Sequence, residues 1–304
     1  MLDVSQDQLA ISPGPLVMVD DPDDVRLDLY RGLNDPAARV RIDCDHSVFM
    51  VEGKLAVDRL LGSKYAIRSL LVDDHQFKTA GALVRTTRAM GAPVFVGTRA
   101  VVAGTVGFAM HRGVVAVGNR LPPTSPEQLV ADSVGSSGPG KDGSLLAVLE
   151  GLNDHENIGA LFRNAAAFGV SGVLLDPRCA DPLYRRSIRV SVGHALQVPF
   201  ARLSPWPAAL DHVKQAGFVV VALAPKPAAS LVAPPASLSE VKAMMSGPSR
   251  PAGVALLLGA EGPGLSEAAL AASDLMVSIP MAHNVDSLNV ATAAAVAFHA
   301  LVDF

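Results

Sequence analysis

The stretch NIGALFRNAAAFGV, residues 157–170, puts two kinds of residue on one helix. Ile158, Leu161, Phe162, Ala165 and Phe168 fall at i, i+3, i+4, i+7 and i+10, so at about 100° per residue they share one face, and that face is core. Asn157, at the start, has the side chain of a good N-cap. Arg163 points nearly the opposite way, one turn beyond Gly159, which offers no side chain to hinder anything approaching. On this segment alone Arg163 reads either as a solvated charge or as a group that grips a ligand. The rest of the chain must decide.

The chain has 304 residues, half of them apolar and 18% charged, enough for two domains with real cores in a compact soluble protein. No run of about 18 uncharged apolar residues occurs, and MLDVSQDQLAISPG lacks the basic and apolar regions of a signal peptide, so the expectation is a cytoplasmic protein without a membrane span. Cys44 and Cys179 are the only cysteines, too few for a disulfide scaffold and outside any CxxC or Cys/His cluster, so both are expected to be idle thiols and no metal site is expected. The net charge of −4 hides an asymmetry: residues 1–38 hold 2 basic and 8 acidic side chains, residues 39–120 hold 12 and 6, and residues 121–304 hold 11 and 15. The basic middle block suits a polyanionic partner, although such an excess also suits a solvated surface.

After the acidic N-terminal arm, 1–38, apolar runs alternate with helical segments. SVFMVEG, IRSLLVDD, APVFVGT and GVVAVGN read as strands, with GKLAVDRLLGS and GALVRTTRAMG between them as helices, giving a small α/β domain over 39–120. The Pro-, Ser- and Gly-rich stretch 121–144 buries little and reads as a linker. From residue 145 to 304 the strands LLAVLEG, GVLLDP, FVVVAL, VALLLG and LMVSIPM are apolar on both faces and alternate with helices, the pattern of a parallel sheet covered on both sides. PKPAASLVAPPASLSEVKAMMSGPSRPAG interrupts that pattern as a Pro-rich surface excursion. SLNVATAAAVAFHALVDF closes the chain as a helix of small residues.

Three further stretches carry possible chemistry. LLLGAEGPGLS sends a buried strand into a Gly-rich turn with one carboxylate, Glu261, and such a turn exposes backbone amides to a ligand. Its spacing matches neither GxGxxG nor a P-loop. In SIPMAHNVDSLNVATAAA, Ser287 and Asn289 stand where a loop meets the last helix, and capping alone would account for them. DPLYRRSIRVSVGHA gathers Arg185, Arg186 and Arg189 around one short helix beside Tyr184, either a phosphate-facing cluster or a solvated face.

In order, NIGALFRNAAAFGV, RVSVGHA, LGAEGPGLS and IPMAHNVDSLNVATAAA resemble the signature of the SpoU (TrmH-like) branch of the SPOUT methyltransferases, over roughly residues 145–304. The basic block before it resembles the small RNA-binding substrate domain that precedes the catalytic domain in many ribosomal-RNA members. The resemblance implies an α/β domain whose C-terminal segment forms a trefoil knot, a topology that periodicity alone does not suggest. It also implies S-adenosylmethionine as cofactor, a homodimer, and methyl transfer to a ribose 2′-hydroxyl of RNA, with ribosomal RNA favoured over transfer RNA. A noncatalytic RNA-binding or assembly protein on the same scaffold is the main alternative. An ordinary doubly wound nucleotide-binding enzyme is a further one, and the missing GxGxxG speaks against it.

By motif, the resemblance assigns Asn157, Arg163, Glu261, Ser287 and Asn289 to catalysis. It assigns Leu258, Gly259, Ala260, Glu261, Gly262, Ile279, Met281, Ser287, Leu288 and Asn289 to the cofactor. Arg163, with Arg185, Arg186 and Arg189, would face RNA. A ribose hydroxyl is a poor nucleophile, so transfer needs positioning and help with its proton. Arg163 can hold a phosphate with a bidentate fork that Lys cannot copy. The neutral Asn157, Ser287 and Asn289 orient groups without competing charge. Two departures stand out: His283 replaces the glycine usual two residues after IPM, and His194 follows RVSVG where a small residue is usual. Both read as neutral substitutions.

Overall fold

The computed structural model describes residues 12–110, 113–135, 143–224, 235–246, 250–282 and 286–302, and the chain divides into two units, Met1–Leu121 and Pro122–Phe304. In the first unit, strands β1 (Leu16–Val19), β2 (Val48–Glu52), β3 (Ile67–Asp73), β4 (Val94–Gly97) and β5 (Val114–Asn119) form one sheet in the order β1-β4-β3-β5-β2. The β1-β4-β3 half is parallel and the β3-β5-β2 half antiparallel. Helices α1 (Pro36–Asp45), α2 (Lys54–Leu61), α3 (Asp74–Phe77), α4 (Gly81–Ala89) and α5 (Arg99–Val106) connect them.

The segment expected to be an acidic arm is part of this unit. Leu16–Val19 pairs with β4, a 3-10 helix follows at Val25–Tyr30, and Leu27, Tyr30 and Leu33 join the core. Hydrogen bonds fix the segment further: the Tyr30 hydroxyl lies 2.7 Å from Ser69 Oγ, and buried Arg39 donates to the Leu29 carbonyl at 2.6 Å and to Asp43 at 2.9 Å. Asp20, Asp21, Asp23, Asp28 and Asp35 are exposed, while Val19, Leu27, Tyr30 and Leu33 between and beside them point inward.

The second unit is a seven-stranded sheet, parallel throughout. Its strands are β6 (Ser144–Glu150), β7 (Gly172–Leu175), β8 (Phe200–Arg202), β9 (Phe218–Leu223), β10 (Pro235–Ala236), β11 (Gly253–Gly259) and β12 (Leu275–Val277), in the order β10-β12-β9-β11-β6-β7-β8. Helices α6 (Pro126–Gly135), α7 (His155–Ala167), α8 (Arg185–Val190), α9 (Leu210–Gln215), α10 (Leu238–Met245), α11 (Glu267–Ala271) and α12 (Val290–Leu301) complete it. The doubly apolar strands do what their composition requires: Leu146, Val148, Leu257, Val254, Leu256 and Val220 are all inaccessible to solvent. Each such side chain contributes about 1.5–3 kcal/mol of burial energy, and truncating one to Ala would cost about 2–5 kcal/mol.

Two expected irregular stretches contain helices. Part of the presumed linker is α6, whose Leu129 and Val130 are buried against the same core as β6 and β7. The Pro-rich excursion contains α10, opened by a capping box between Ser237 and Glu240 and anchored by buried Val241 and Met245. Proline density hid both amphipathic patterns. The cysteines also differ from one another: Cys44 is exposed, whereas Cys179 is buried, donates to the Leu149 carbonyl, and has its thiol pushed up to about 12 by burial and by neighbouring Asp176.

Candidate active site

The carboxyl ends of β9, β11 and β12 converge on one cavity of about 200 Å³. Its walls are Leu223 and Ala224 at the end of β9, Leu258 and Gly259 at the end of β11 with Ala260, Glu261, Gly262, Gly264 and Leu265 of the turn that follows, Ile279 and Met281 after β12, and Ser287, Leu288, Val290 and Ala293 at the start of α12. Loops at the carboxyl ends of parallel strands are where an α/β sheet places ligands, because the strand ends splay and the backbone there is unpaired.

The turn after β11 owes its shape to glycine. Gly262 and Gly264 have φ of +86° and +70°, a region that favours glycine, and a side chain on either would project into open space. Gly264 N–H donates to the Ala260 carbonyl at 2.9 Å, folding the turn back on itself. At Gly259 the strand and the returning chain are so close that a Cβ would lie 2.5 Å from the Leu265 nitrogen. The result is a backbone-walled cradle facing the cavity.

Glu261, at the tip of that turn, joins two distant elements. Asn289 Nδ2 donates to Glu261 Oε1 at 2.5 Å and to Asn157 Oδ1 at 2.8 Å, while Val290 N–H reaches Glu261 at 3.4 Å. The other end of the same amide caps α12, since Asn289 Oδ1 accepts from the Ala291 and Thr292 amides at 3.0 and 3.2 Å. Asn164 Nδ2 fastens α7 to α12 by donating to the Ala291 carbonyl at 2.8 Å. Capping and site construction are thus properties of one side chain.

Two expectations about α7 are corrected. Its N-cap is Asp154, which accepts from Glu156 N–H at 2.6 Å, so the helix begins three residues before the position expected and Asn157 lies within its first turn, free to meet Asn289. Gly159 does not clear space for an incoming molecule. It is buried, and a Cβ there would meet the Ser187 carbonyl oxygen and Val190 Cβ at 2.7 Å, so its role is to let α8 pack closely on α7. Arg163 is exposed on the solvent side of the helix, as the wheel requires.

The structure brings Asn157, Glu261 and Asn289 together, and it places Leu258, Gly259, Ala260, Gly262, Ile279, Met281, Ser287 and Leu288 on the cavity wall. Gly264, in the Gly-rich turn singled out by sequence, lines it too; Leu223, Ala224, Leu265, Val290 and Ala293 also line it and were not singled out by sequence, nor was Asn164. Position at a strand end is the one signal that could have found Leu223 and Ala224. His283 lies outside the described residues. Among the described residues no group of three or more His, Cys, Asp and Glu side chains is placed to hold a metal ion, and no helix is long and apolar enough to cross a membrane.

On α8, Arg186 makes a two-nitrogen contact with Glu156 Oε1 at 2.6 and 3.0 Å, both side chains being half exposed. Such a pair contributes little stability but orients the guanidinium beside α7. His155 stacks on Tyr184 with ring centroids 4.2 Å apart. Burial holds the His155 imidazolium below the usual histidine range, against the opposing pull of Asp181 and Asp154.

The SpoU rRNA methylase family model matches residues 144–299. A Mycobacterium bovis protein named as an uncharacterized tRNA/rRNA methyltransferase is 43% identical over 279 residues, 92% of this chain and 89% of the relative. The 23S rRNA (guanosine-2′-O-)-methyltransferase RlmB of Shewanella oneidensis is 28% identical over 249 residues, 80% of this chain and 92% of that one. Among solved structures, an AdoMet-bound rRNA methyltransferase from Sinorhizobium meliloti aligns with a TM-score of 0.71 at 23% identity, covering 94% of this chain and 97% of the other, a likeness of fold.

Proposed function

The chain belongs to the SpoU rRNA methylase family of S-adenosylmethionine-dependent RNA methyltransferases, and from that premise we propose that it methylates a ribose 2′-hydroxyl of ribosomal RNA. One observation carries the reading: Asn157, Glu261 and Asn289, supplied by three separate elements, are joined by hydrogen bonds at the rim of a cavity walled by glycine backbone.

The cavity suits the cofactor by its chemistry. Leu223, Leu258, Leu265, Ile279, Met281 and Leu288 offer apolar surface for a flat base, and the turn through Gly262 and Gly264 brings main-chain polar groups to the wall without side chains in the way. S-adenosylmethionine supplies an electrophilic methyl group on a sulfonium centre. The protein's task is then to hold the attacking hydroxyl in line while its proton is given up and the methyl passes from sulfur to oxygen, leaving a neutral ether and a neutral thioether. Arg163, exposed and fixed on a helix whose opposite face is core, grips the phosphate beside the target ribose with its planar fork. Asn157 and Asn289 hold each other and Glu261 in register, so the rim enters the reaction already arranged. Ser287 adds a neutral hydroxyl at the cavity edge.

The same proposal extends to three coarser features. The first unit binds RNA through the twelve basic residues of 39–120, which stand against six acidic ones in that block. The C-terminal segment is threaded in the family's trefoil knot, and two copies pair through the helices beside it; Val296 on α12, 42% exposed, supports the pairing. The protein works in the cytoplasm, without a metal.

Ribose-methylation mapping of ribosomal and transfer RNA from cells with and without the gene tests the function. Loss of one ribosomal 2′-O-methyl group is expected. Loss confined to transfer RNA would move the substrate, and no change together with no calorimetric binding of S-adenosylmethionine would overturn the reading.

A further inference from the structure

The turn that walls the cavity is closed at its base on a single residue, Glu150. At the entry to the turn, Gly259 is the register partner of Glu150 in the ladder between β11 and β6. At the exit, Ser266 gives both of its hydrogens to the Glu150 side chain: the Ser266 amide to Oε2 at 2.8 Å and the Ser266 hydroxyl to Oε1 at 2.7 Å. The carboxylate is 2% exposed, so these bonds form out of water. Two more donors complete the set, Trp206 Nε1 at 2.7 Å and an Arg178 guanidinium nitrogen at 3.3 Å. Four donors and no acceptor face the group, a set that a carboxylate satisfies and an amide cannot. Ser266 in turn N-caps α11 through Ala269 N–H.

Glu150, Ser266, Trp206 and Arg178 are not among the residues of the cavity wall, yet everything between residues 259 and 266 hangs from them, Glu261 included. We propose that Glu150 is a positioning residue for the reaction, its carboxylate pinning the exit of the glycine turn so that cofactor wall and Glu261 are held in place before anything binds. The inference rests on the methyltransferase reading for the identity of the ligand. Trp206, the only tryptophan of the chain, is hydrogen-bonded to the same carboxylate and so reports on it.

The test uses the full-length protein and compares wild type with Glu150→Gln and Ser266→Ala. S-adenosylmethionine and S-adenosylhomocysteine affinities are measured by calorimetry, RNA affinity by retention of the mapped substrate, and Trp206 emission during titration with S-adenosylhomocysteine. In Glu150→Gln, which turns an amide toward four donors, cofactor affinity is expected to fall about tenfold or more, the scale of losing hydrogen bonds to a buried charged group. RNA affinity is expected to stay within twofold. Ser266→Ala, which keeps the main-chain bond and loses the hydroxyl, is expected to fall by less, and it carries the test should Glu150→Gln fail to fold. Saturation is expected to change Trp206 emission in the wild type and to lose that change in Glu150→Gln. Unchanged cofactor affinity in both variants, equal weakening of cofactor and RNA binding, or a silent Trp206 in wild-type protein that binds would each overturn the proposal. A wild-type protein that binds no S-adenosylmethionine would instead overturn the reading of function beneath it.

Discussion

Asn289 donates to Asn157 across 2.8 Å although 132 residues separate them in the chain. The bond ties the first turn of α7 to the first residue before α12, and the remaining Asn289 donor continues it to Glu261. Neither asparagine carries charge, so the contact orients without pulling a phosphate or a sulfonium out of place.

Replacing Asn289 separates its two tasks. Asn289→Ala removes the cap of α12 and should destabilise the protein by about 1 kcal/mol, within the range of N-cap losses, while methyl transfer falls sharply. Asn289→Asp keeps a capping oxygen but sets a carboxylate against Glu261 and loses both amide donations. Its thermal midpoint should stay nearer wild type and its turnover should not recover. Melting curves and single-turnover methylation on the same preparations check this.

Arg163 offers the opposite dissociation. Exposed and remote from the core, it can be changed to Ala at a stability cost within about 0.5 kcal/mol. Methyl transfer should drop by orders of magnitude with S-adenosylmethionine affinity unchanged, and Arg163→Lys should rescue poorly because a point charge lacks the fork. Near-normal turnover in the alanine variant would return Arg163 to the status of a solvated charge.

Gly159 makes a structural prediction. Alanine is the better helix former by about 1 kcal/mol, but a Cβ at 2.7 Å from the Ser187 carbonyl and Val190 must push α8 away. Gly159→Ala should therefore lower stability by about 1–3 kcal/mol in urea unfolding. A stabilised variant would show that α7 and α8 are not in close contact.

The first unit should carry the salt-sensitive part of RNA binding. A chain of residues 122–304 retains the sheet, the cavity and the Asn157–Asn289 contact, and should keep cofactor affinity while RNA affinity and its dependence on salt both decline. Equal RNA affinity in both chains, measured across a salt series, would remove that role from the unit.

Strand composition made most of the second sheet legible: five of its strands announce themselves as apolar runs because parallel strands buried on both faces have no polar side to alternate. The three-residue β8 and two-residue β10 are too short for any period. In the first unit β1 is a run of only four apolar residues, too short for a period and followed at once by an acidic stretch. Of the site, Asn157, Glu261 and Asn289 could be picked out by motif, whereas their mutual contact depends on strand order, which no local pattern encodes. Gly159 shows the limit from the other side. A missing side chain looks the same in sequence whether it admits a ligand or a neighbouring helix.

The strand order also fixes when the site comes into being. β11 lies between β9 and β6, and β12, the last strand in the chain, pairs between β9 and β10, so the chain must cross over β9 to place it. Only then can the segment before α12 reach Glu261. Until its final helix is seated, a partly synthesised or partly unfolded chain has the glycine turn but no opposite wall. The long-range closure makes assembly slow relative to a locally wired fold, and it makes capture of the small ligand an announcement that the whole C-terminal unit is finished.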